Sequence, residues 1–275
     1  MQNAGATLNP IVVSLQPEGD GVPLFLVGPS KEAVSIVRYL GSRPVFGIRV
    51  PSPDRCPELR SVGDLAVVCA QAIQRAHPDG PYALAGWCDA GMLALEIARE
   101  LEHGGGQIAF VAMLDARTVF LPPMSRRKRA LVSCCYQLQR FRFFVSRVLA
   151  QGLSPIEVAA RARLTRAREA KSRMWREPSR PDTISINALF RRHRPLPWRG
   201  RMLHIWAAER PRGSFRDPEF VCGYLSPDGF AFYEVAGSHA TMLAEPNVGA
   251  LCRILAEELD LAAGEPSRFH PIISF

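Results

Sequence analysis

The stretch LAGWCDAGMLALEIARELE, residues 84–102, places a cysteine where one sequence pattern changes into another. The residues before Cys88 form a continuous apolar run, which is typical of a buried strand. The residues after it carry apolar side chains at helical spacing and stop at a glycine run. The stretch therefore predicts a strand that turns at Cys88 directly into an amphipathic helix.

Short apolar strands alternate with helical patterns through most of the chain. The predicted strands cover 11–15, 23–28, 45–50, 82–87, 108–116, 201–208 and 230–237, and helices are predicted near 31–40, 62–77, 92–104 and 247–259. Continuously apolar strands separated by helices indicate a parallel sheet covered on both faces. The predicted fold class is therefore α/β, with a mostly parallel, doubly wound sheet.

A helical insertion interrupts this alternation. Between residues 117 and 194 no strand pattern occurs, and helices are predicted over 125–152 and 154–175, capped by Ser125 and Ser154. The predicted organisation is a lead-in over 1–20, the first part of the core over 21–116, the basic helical insertion over 117–198 and the second part of the core over 199–275.

Basic residues are concentrated in the insertion. Residues 117–201 hold 21 of the 34 lysines and arginines but 4 of the 26 acidic residues, a net charge of +17. The remaining 13 basic and 22 acidic residues leave the rest of the chain at −9. A basic insertion on an acidic body indicates two parts with different roles.

Composition argues against several classes of protein. No run reaches the roughly 18 apolar residues of a membrane-spanning helix, and the first residues lack the pattern of a signal peptide. Seven cysteines without a CxxC pair favour free thiols in a reducing, cytoplasmic compartment. Histidines and cysteines show no metal-ligand spacing, so no metal site is predicted. Cys69 and Cys252 lie on apolar helix faces and are expected in the core.

Cys88 occupies the position of a nucleophile at a strand–helix corner. In such an elbow, small flanking residues, here Gly86 and Ala90, permit a tight turn, and the nucleophile projects above the sheet. The backbone N–H of Asp89 then points at the same space and can bind an oxyanion. Alternatively, Cys88 is a small buried residue that fills the corner.

Two further residues favour the catalytic interpretation. Asp115 ends the next apolar strand, at the sheet edge where such folds place their chemistry. His239 lies in VAGSHATML, after the last predicted strand and before the last helix. The chain order nucleophile, acid, histidine is that of the α/β-hydrolase triad. Three matches at three topologically suitable places favour catalysis over a core cysteine.

These segments resemble a known family. YALAGWCDAGMLALEIARELEHGGGQIAFVAMLDA, NPIVVSLQPEGDGVPLFLVGPS and FAFYEVAGSHATMLAEPNVGAL are similar to the elbow, the first strands and the histidine loop of type I thioesterases. These are the chain-releasing domains of non-ribosomal peptide and polyketide synthetases, with an α/β-hydrolase fold. The resemblance covers the chain except the insertion, which takes the place of the family's helical lid. It implies Cys88 as nucleophile, His239 as general base and acid, and Asp115 as the residue that orients the imidazole.

The chain departs from the family pattern at the elbow and at one loop. The usual serine is Cys88, and the glycine expected two residues later is Ala90. The loop usually written H-P-x-G-G reads GPSKE over residues 28–32, without its glycines. The resemblance places the second oxyanion donor at the backbone N–H of Ser30.

The implied reaction transfers an acyl or peptidyl chain from a carrier domain's phosphopantetheine thioester to Cys88. Release follows by cyclisation, aminolysis or hydrolysis, in the biosynthesis of a natural product such as an antibiotic. No cofactor is expected to be bound, since the substrate arrives on phosphopantetheine. A thiol nucleophile keeps the acyl group as a reactive thioester, which favours capture by an amine or an internal nucleophile slightly over hydrolysis.

The expected partner is the acyl or peptidyl carrier domain. It is typically acidic, and it must dock at the lid. A basic cluster at a predicted helix start is suited to that contact: Arg126, Arg127, Lys128 and Arg129. Neither nucleic acid nor a membrane is an expected partner, and the protein is expected to be monomeric or part of a larger synthetase.

Other functions stay open at this point. One is a stand-alone cysteine-dependent hydrolase of small esters or lactones, although a small substrate needs less cover than the long insertion provides. Another is a non-catalytic binding module on a hydrolase fold, which an intact triad disfavours. The Arg-rich insertion also suggests a nucleic-acid binder, which the acidic remainder of the chain disfavours.

Overall fold

The computed structural model describes residues 11–28, 34–53, 56–116, 124–151, 186–210 and 218–264. The strands are β1 Val12–Gln16, β2 Leu24–Val27, β3 Val45–Ile48, β4 Tyr82–Trp87, β5 Ile108–Leu114, β6 Met202–Ala207 and β7 Ala231–Val235. The helices are α1 Val62–Ala76, α2 Asp89–His103, α3 Arg126–Gln151, α4 Ile186–Arg192, α5 Pro218–Leu225 and α6 Val248–Ala262.

The strands form a single seven-stranded sheet in the order β1-β3-β2-β4-β5-β6-β7. Strand β1 pairs antiparallel with β3, and every other neighbouring pair is parallel. The carboxyl ends of β4, β5, β6 and β7 therefore lie side by side at one edge. The prediction of a mostly parallel α/β sheet is confirmed.

Both faces of the sheet are buried because its side chains alternate between two cores. In β2, Phe25 and Val27 point into a core formed with α1 and α2. Leu24 and Leu26 point into the opposite core, which includes residues of α6. Each side chain of β2 is at most 2% exposed. A strand covered on both faces is rigid, and β4 provides such a support for the corner at Cys88.

Most predicted elements are confirmed within one to four residues at their ends, with a few differences. The described part of the pattern at 31–40 is a short 3₁₀ helix, Ser35–Tyr39. Helices α4 and α5 were not predicted, because each is about two turns long and shows little periodicity. The predicted helix over 154–175 lies outside the described residues.

Helix α3 confirms the first predicted helix of the insertion. It begins as expected at Ser125, whose hydroxyl accepts a hydrogen bond from the Lys128 N–H at 3.3 Å. Within the described ranges, no helix is both long and apolar enough to cross a membrane. No disulfide joins cysteines of the described residues. Cys69 and Cys252 are buried, as predicted.

Candidate active site

Cys88 lies in a strained turn between β4 and α2. It is the N-cap residue of α2, and its backbone has φ 58° and ψ −128°. Its N–H donates to the Leu114 carbonyl at 3.0 Å, and its carbonyl accepts from the Gly91 N–H at 3.2 Å. A residue with a side chain adopts a positive φ only where the surrounding structure enforces it. The turn therefore has the geometry of a nucleophile elbow.

Two glycines allow the strand and the helix to approach this closely. A Cβ on Gly86 would lie 2.3 Å from the Ala90 carbonyl oxygen. A Cβ on Gly91 would lie 2.8 Å from the Ala116 Cβ. The close approach thus requires glycine at 86 and 91, whereas position 90, where the resemblance led us to expect glycine, holds an alanine.

Asp115 directly follows β5 and is 6% exposed. Its own φ is 42°, so the acid also occupies a strained turn. Its Oδ2 lies 2.6 Å from the His239 Nδ1. Its Oδ1 accepts a hydrogen bond from the Ala207 N–H at 3.3 Å. The carboxylate is thereby held between the neighbouring strand β6 and the histidine loop.

The His239 loop is held by a compact set of hydrogen bonds after β7. Gly237 has φ 93°, and a Cβ there would lie 2.5 Å from the Asn247 Nδ2. The Ser238 N–H donates to the Thr241 Oγ1 at 2.8 Å, and the Asn247 Nδ2 donates to the Thr241 carbonyl at 3.1 Å. These contacts fix the loop that carries the imidazole.

His239 contacts both other members of the predicted triad. A hydrogen bond to Asp115 and a second one to Cys88 raise the pKa of His239 to about 9, against the opposing effect of burial. Because Asp115 occupies Nδ1, Nε2 is the ring nitrogen left for Cys88. The surroundings of this imidazole therefore favour its protonated form.

Asp115 carries the negative charge that supports this protonation. Burial alone would raise the pKa of the carboxyl group. The hydrogen bond and charge of His239, together with the Ala207 N–H and the Arg210 charge, outweigh burial and hold the pKa of Asp115 below its ordinary value. The acid is thus ionised throughout the range in which His239 titrates.

This arrangement suits acyl transfer through a sulfur nucleophile. The thiol has a base within hydrogen-bonding contact, and the base is oriented by a buried carboxylate. Asp89 is the first residue of α2, so its N–H has no acceptor within the helix and can stabilise an oxyanion beside Cys88. Ser30, the predicted second oxyanion donor, lies outside the described residues.

The comparison with protein-family models matches residues 27–199 to the family described as "Thioesterase domain". This match covers more than half of the chain. The chain belongs to the thioesterase domain family. The family membership and the fold were both expected from the resemblance at the elbow, the acid strand and the histidine loop.

The curated relatives of this thioesterase domain are much longer proteins. Aspulvinone E synthetase of Aspergillus terreus is 33% identical over 138 residues, which is 47% of this chain and 14% of that protein. The non-ribosomal peptide synthetase acyN of Ascocoryne sarcoides is 32% identical over 115 residues, 40% of this chain and 12% of that protein. The chain thus matches about one seventh or less of the length of these relatives.

The fold of this thioesterase domain is also found in solved structures. The NocB thioesterase domain of the nocardicin cluster superposes with a TM-score of 0.58 at 18% identity, covering 91% of this chain and 98% of that one. A likeness at that identity concerns the fold alone. It confirms the predicted α/β-hydrolase fold.

Of the residues predicted for the site, Cys88, Asp89, Asp115 and His239 lie together, whereas the basic cluster lies on another element of the thioesterase domain. Residues 126–129 form the exposed first turn of α3. Two further residues lie near the triad. Arg210 lies beside Asp115, and Trp87 stacks on His239. The place of Trp87 directly before Cys88 predicts that it packs beside the elbow or lines an acyl pocket, whereas no sequence signal points to Arg210.

Proposed function

We propose that this thioesterase domain receives an acyl or peptidyl chain on the Cys88 sulfur and releases it as a product. The donor is a thioester on the phosphopantetheine arm of a carrier domain. The observation that supports this most strongly is the strained corner at Cys88, together with a neighbouring His239 whose Nδ1 lies 2.6 Å from the buried Asp115 carboxylate. A cysteine that merely fills a corner would need no histidine–carboxylate pair beside it.

In the first half-reaction, the sulfur of Cys88 attacks the thioester carbonyl while its proton resides on His239. The resulting oxyanion is stabilised by the Asp89 N–H. The intermediate then expels the phosphopantetheine thiolate, which takes the proton from His239. Asp115 keeps the imidazole oriented and stabilises its protonated form, as the acid does in serine hydrolases.

In the second half-reaction, a nucleophile attacks the acyl group on Cys88. His239 removes the proton of this nucleophile and returns it to the Cys88 sulfur as the product leaves. The acyl-enzyme is a thioester, so it stays reactive towards amines and internal hydroxyl or carbon nucleophiles, while an oxoester on serine would be less activated. The thiol therefore favours cyclisation or aminolysis over hydrolysis.

The carrier domain is proposed to approach along the basic surface of α3. This helix contains seven basic residues and no acidic residue. Its first turn, Arg126 to Arg129, is exposed. A carrier domain with an acidic surface would be attracted to that turn. Relatives named as non-ribosomal peptide synthetases support a carrier as the source of substrate.

The proposal is tested by incubating the purified protein with an acyl thioester of a small thiol and measuring its intact mass. The acyl mass is expected on the wild type, with peptide mapping placing it on Cys88. Cys88→Ala should abolish acyl-enzyme formation and turnover, while the buried Cys69→Ala should change the rate by no more than a few-fold.

The same experiment distinguishes the rival functions. A non-catalytic module would gain no acyl mass and would produce no free acid or cyclised product. A hydrolase of small esters would turn over a short ester at least as fast as the thioester. Turnover retained in Cys88→Ala would overturn the assignment of the nucleophile.

A further inference from the structure

Arg210 places a buried positive charge behind the acid of the triad. Its Nη1 lies 3.6 Å from the Asp115 Oδ1, and its Nη2 lies 3.5 Å from the Glu234 Oε1. Its side chain is 8% exposed. A buried guanidinium is costly unless anions compensate for its lost hydration, and here two carboxylates do so.

The guanidinium is also held in a defined plane. Its Cζ lies 3.4 Å from the centroid of the Trp206 ring, and Trp206 packs edge-on against Phe232 at 5.1 Å. A planar, delocalised cation stacks on an aromatic face in a way that an ammonium group does not reproduce. Stacking and the two ion pairs thus fix both the position and the orientation of Arg210.

Arg210 and His239 each face a different oxygen of the Asp115 carboxylate. Oδ2 of Asp115 faces His239, while Oδ1 faces Arg210 and the Ala207 N–H. The separation of 3.6 Å is beyond hydrogen-bonding range, so Arg210 acts on Asp115 mainly through its charge. The positive charge of Arg210 partly offsets the negative charge of Asp115. Asp115 therefore stabilises the protonated imidazole of His239 less strongly than it would without Arg210.

We propose that Arg210 is a positioning residue of this active site, which holds Asp115 ionised and oriented towards His239 and tempers how strongly His239 retains its proton. This inference rests on the proposed function of Cys88, Asp115 and His239. A histidine that retains its proton too strongly is a poor general acid for the leaving thiolate and a poor base for the incoming nucleophile. Glu234 weakens the effect of Arg210 on Asp115, because the negative charge of Glu234 partly neutralises the same guanidinium.

Among the described residues, the charged and titratable groups that face Asp115 and His239 include Cys88 from the elbow and Arg210 from the segment after β6. Glu234 of β7 faces the guanidinium of Arg210 and therefore acts on Asp115 through it. Removing the cation should raise the pH midpoint at which His239 loses its proton. Removing the charge of Glu234 should lower that midpoint.

The test uses Arg210→Met and Glu234→Gln, with Arg199→Met as the matched control. Arg199 forms an exposed ion pair with Asp228 at 2.8 Å. These residues precede β6 and β7, at the end of the sheet opposite to the triad. Two readouts are needed: single-turnover acylation by mass spectrometry across pH, and the titration midpoint of His239 by NMR of its imidazole ring. The NMR titration reports on Arg210 even if the wild type forms no acyl-enzyme, which separates this inference from the proposed function.

Arg210→Met is expected to lower the acylation rate by about 10-fold or more and to move the His239 midpoint to higher pH. Glu234→Gln should move the midpoint to lower pH with a rate within about 3-fold of the wild type, because Glu234 is partly exposed. Arg199→Met should change neither readout. Arg210→Lys should keep the midpoint near that of the wild type but recover only part of the rate, since the stacked planar group is lost.

A slower Arg210→Met enzyme with an unmoved His239 midpoint would assign Arg210 a purely structural role. An unchanged rate and midpoint would overturn the inference altogether. If Arg210→Met does not fold, the other two variants still test the inference. It then requires a lower His239 midpoint in Glu234→Gln, and in Arg210→Lys a slower rate with an unchanged midpoint.

Discussion

The indole of Trp87 lies against the imidazole of His239, with ring centroids 4.7 Å apart and planes inclined by 19°. Trp87 immediately precedes Cys88, so the end of β4 supplies both the nucleophile and a flat surface for its base. An aromatic face attracts a protonated imidazole more strongly than a neutral one. His239 is therefore held at Nδ1 by Asp115 and across its ring by Trp87, with its other edge left for Cys88.

This stacking predicts a difference between two substitutions of Trp87. The indole N–H is buried and finds no acceptor among the described residues. Trp87→Phe therefore reduces the size of the aromatic face that stacks on His239 but removes no hydrogen bond. Trp87→Phe should stay within a few-fold of the wild-type turnover, while Trp87→Leu should lose about 10-fold. Turnover and the NMR titration of His239 are the measurements. Equal rates in the two variants would show that the ring face has no role.

Cys88→Ser tests why the nucleophile is a thiol. The variant should still accept acyl groups, but as an oxoester that is less reactive towards amines and internal nucleophiles. The fraction of hydrolysed or stalled product should rise relative to cyclised or aminolysed product, measured by chromatography of the released species. An unchanged product ratio would remove the argument that the thiol is needed to keep the acyl group activated.

The stability of the fold should depend on pH through His239. The pKa of His239 is raised from an ordinary value of 6.5 to about 9. A raised pKa in the folded state stabilises the fold fully below about pH 6.5 and loses that effect as pH rises through about 9. The difference in free energy of unfolding between wild type and His239→Gln should therefore decline across this window in denaturant titrations.

The Cys88→Ala background provides the control for this pH dependence. The hydrogen bond to Cys88 is the second-largest cause of the raised pKa of His239, after that to Asp115. Removal of the Cys88 hydrogen bond should reduce the stabilisation that protonated His239 gives the fold, and this stabilisation should be lost at a lower pH. A difference that stays constant between about pH 6 and 10 would show that His239 titrates alike in the folded and unfolded chain.

Gly86→Ala tests the close approach of β4 and α2. The added Cβ would lie 2.3 Å from the Ala90 carbonyl oxygen, which belongs to the backbone and cannot move aside cheaply. The expected loss of stability is about 2 kcal/mol or more, with a parallel loss of acylation. Gly63→Ala on α1 is the control. It meets the Ser61 Oγ at 3.5 Å and should be neutral or slightly stabilising. Similar effects of both substitutions would contradict the special geometry of the elbow.

Charge reversal at the start of α3 tests carrier docking. Replacement of Arg126, Arg127 and Arg129 by Glu should raise the KM for carrier-bound substrate and leave turnover of a small-thiol thioester nearly unchanged. The carrier-dependent rate of the wild type should also fall between about 0.05 and 0.5 M salt, as screening shortens the range of the attraction. Equal losses on both substrates would instead indicate that the cluster supports the fold.

Much of the candidate site was open to prediction because its signals are local. Gly86, Cys88 and the following helical pattern are neighbours in the chain, and strand–turn–helix geometry makes an elbow of them. Asp115 and His239 each follow an apolar strand, and parallel strands end at the same edge of a sheet. Helices α4 and α5 were not predicted, since short helices have too few turns to show a period.

The sequence by itself determined the fold class, the order of the three predicted catalytic residues and the position of the nucleophile at a strand–helix corner. Hydrophobic periodicity and chain direction are sufficient for those, because backbone geometry converts them directly into layers and edges. Only the tertiary structure decided that Trp87 covers the ring of His239 and that Arg210 lies between Asp115 and Glu234. Such contacts join side chains far apart along the chain, and their orientation depends on how the strands and loops pack. No local pattern in the sequence encodes that packing.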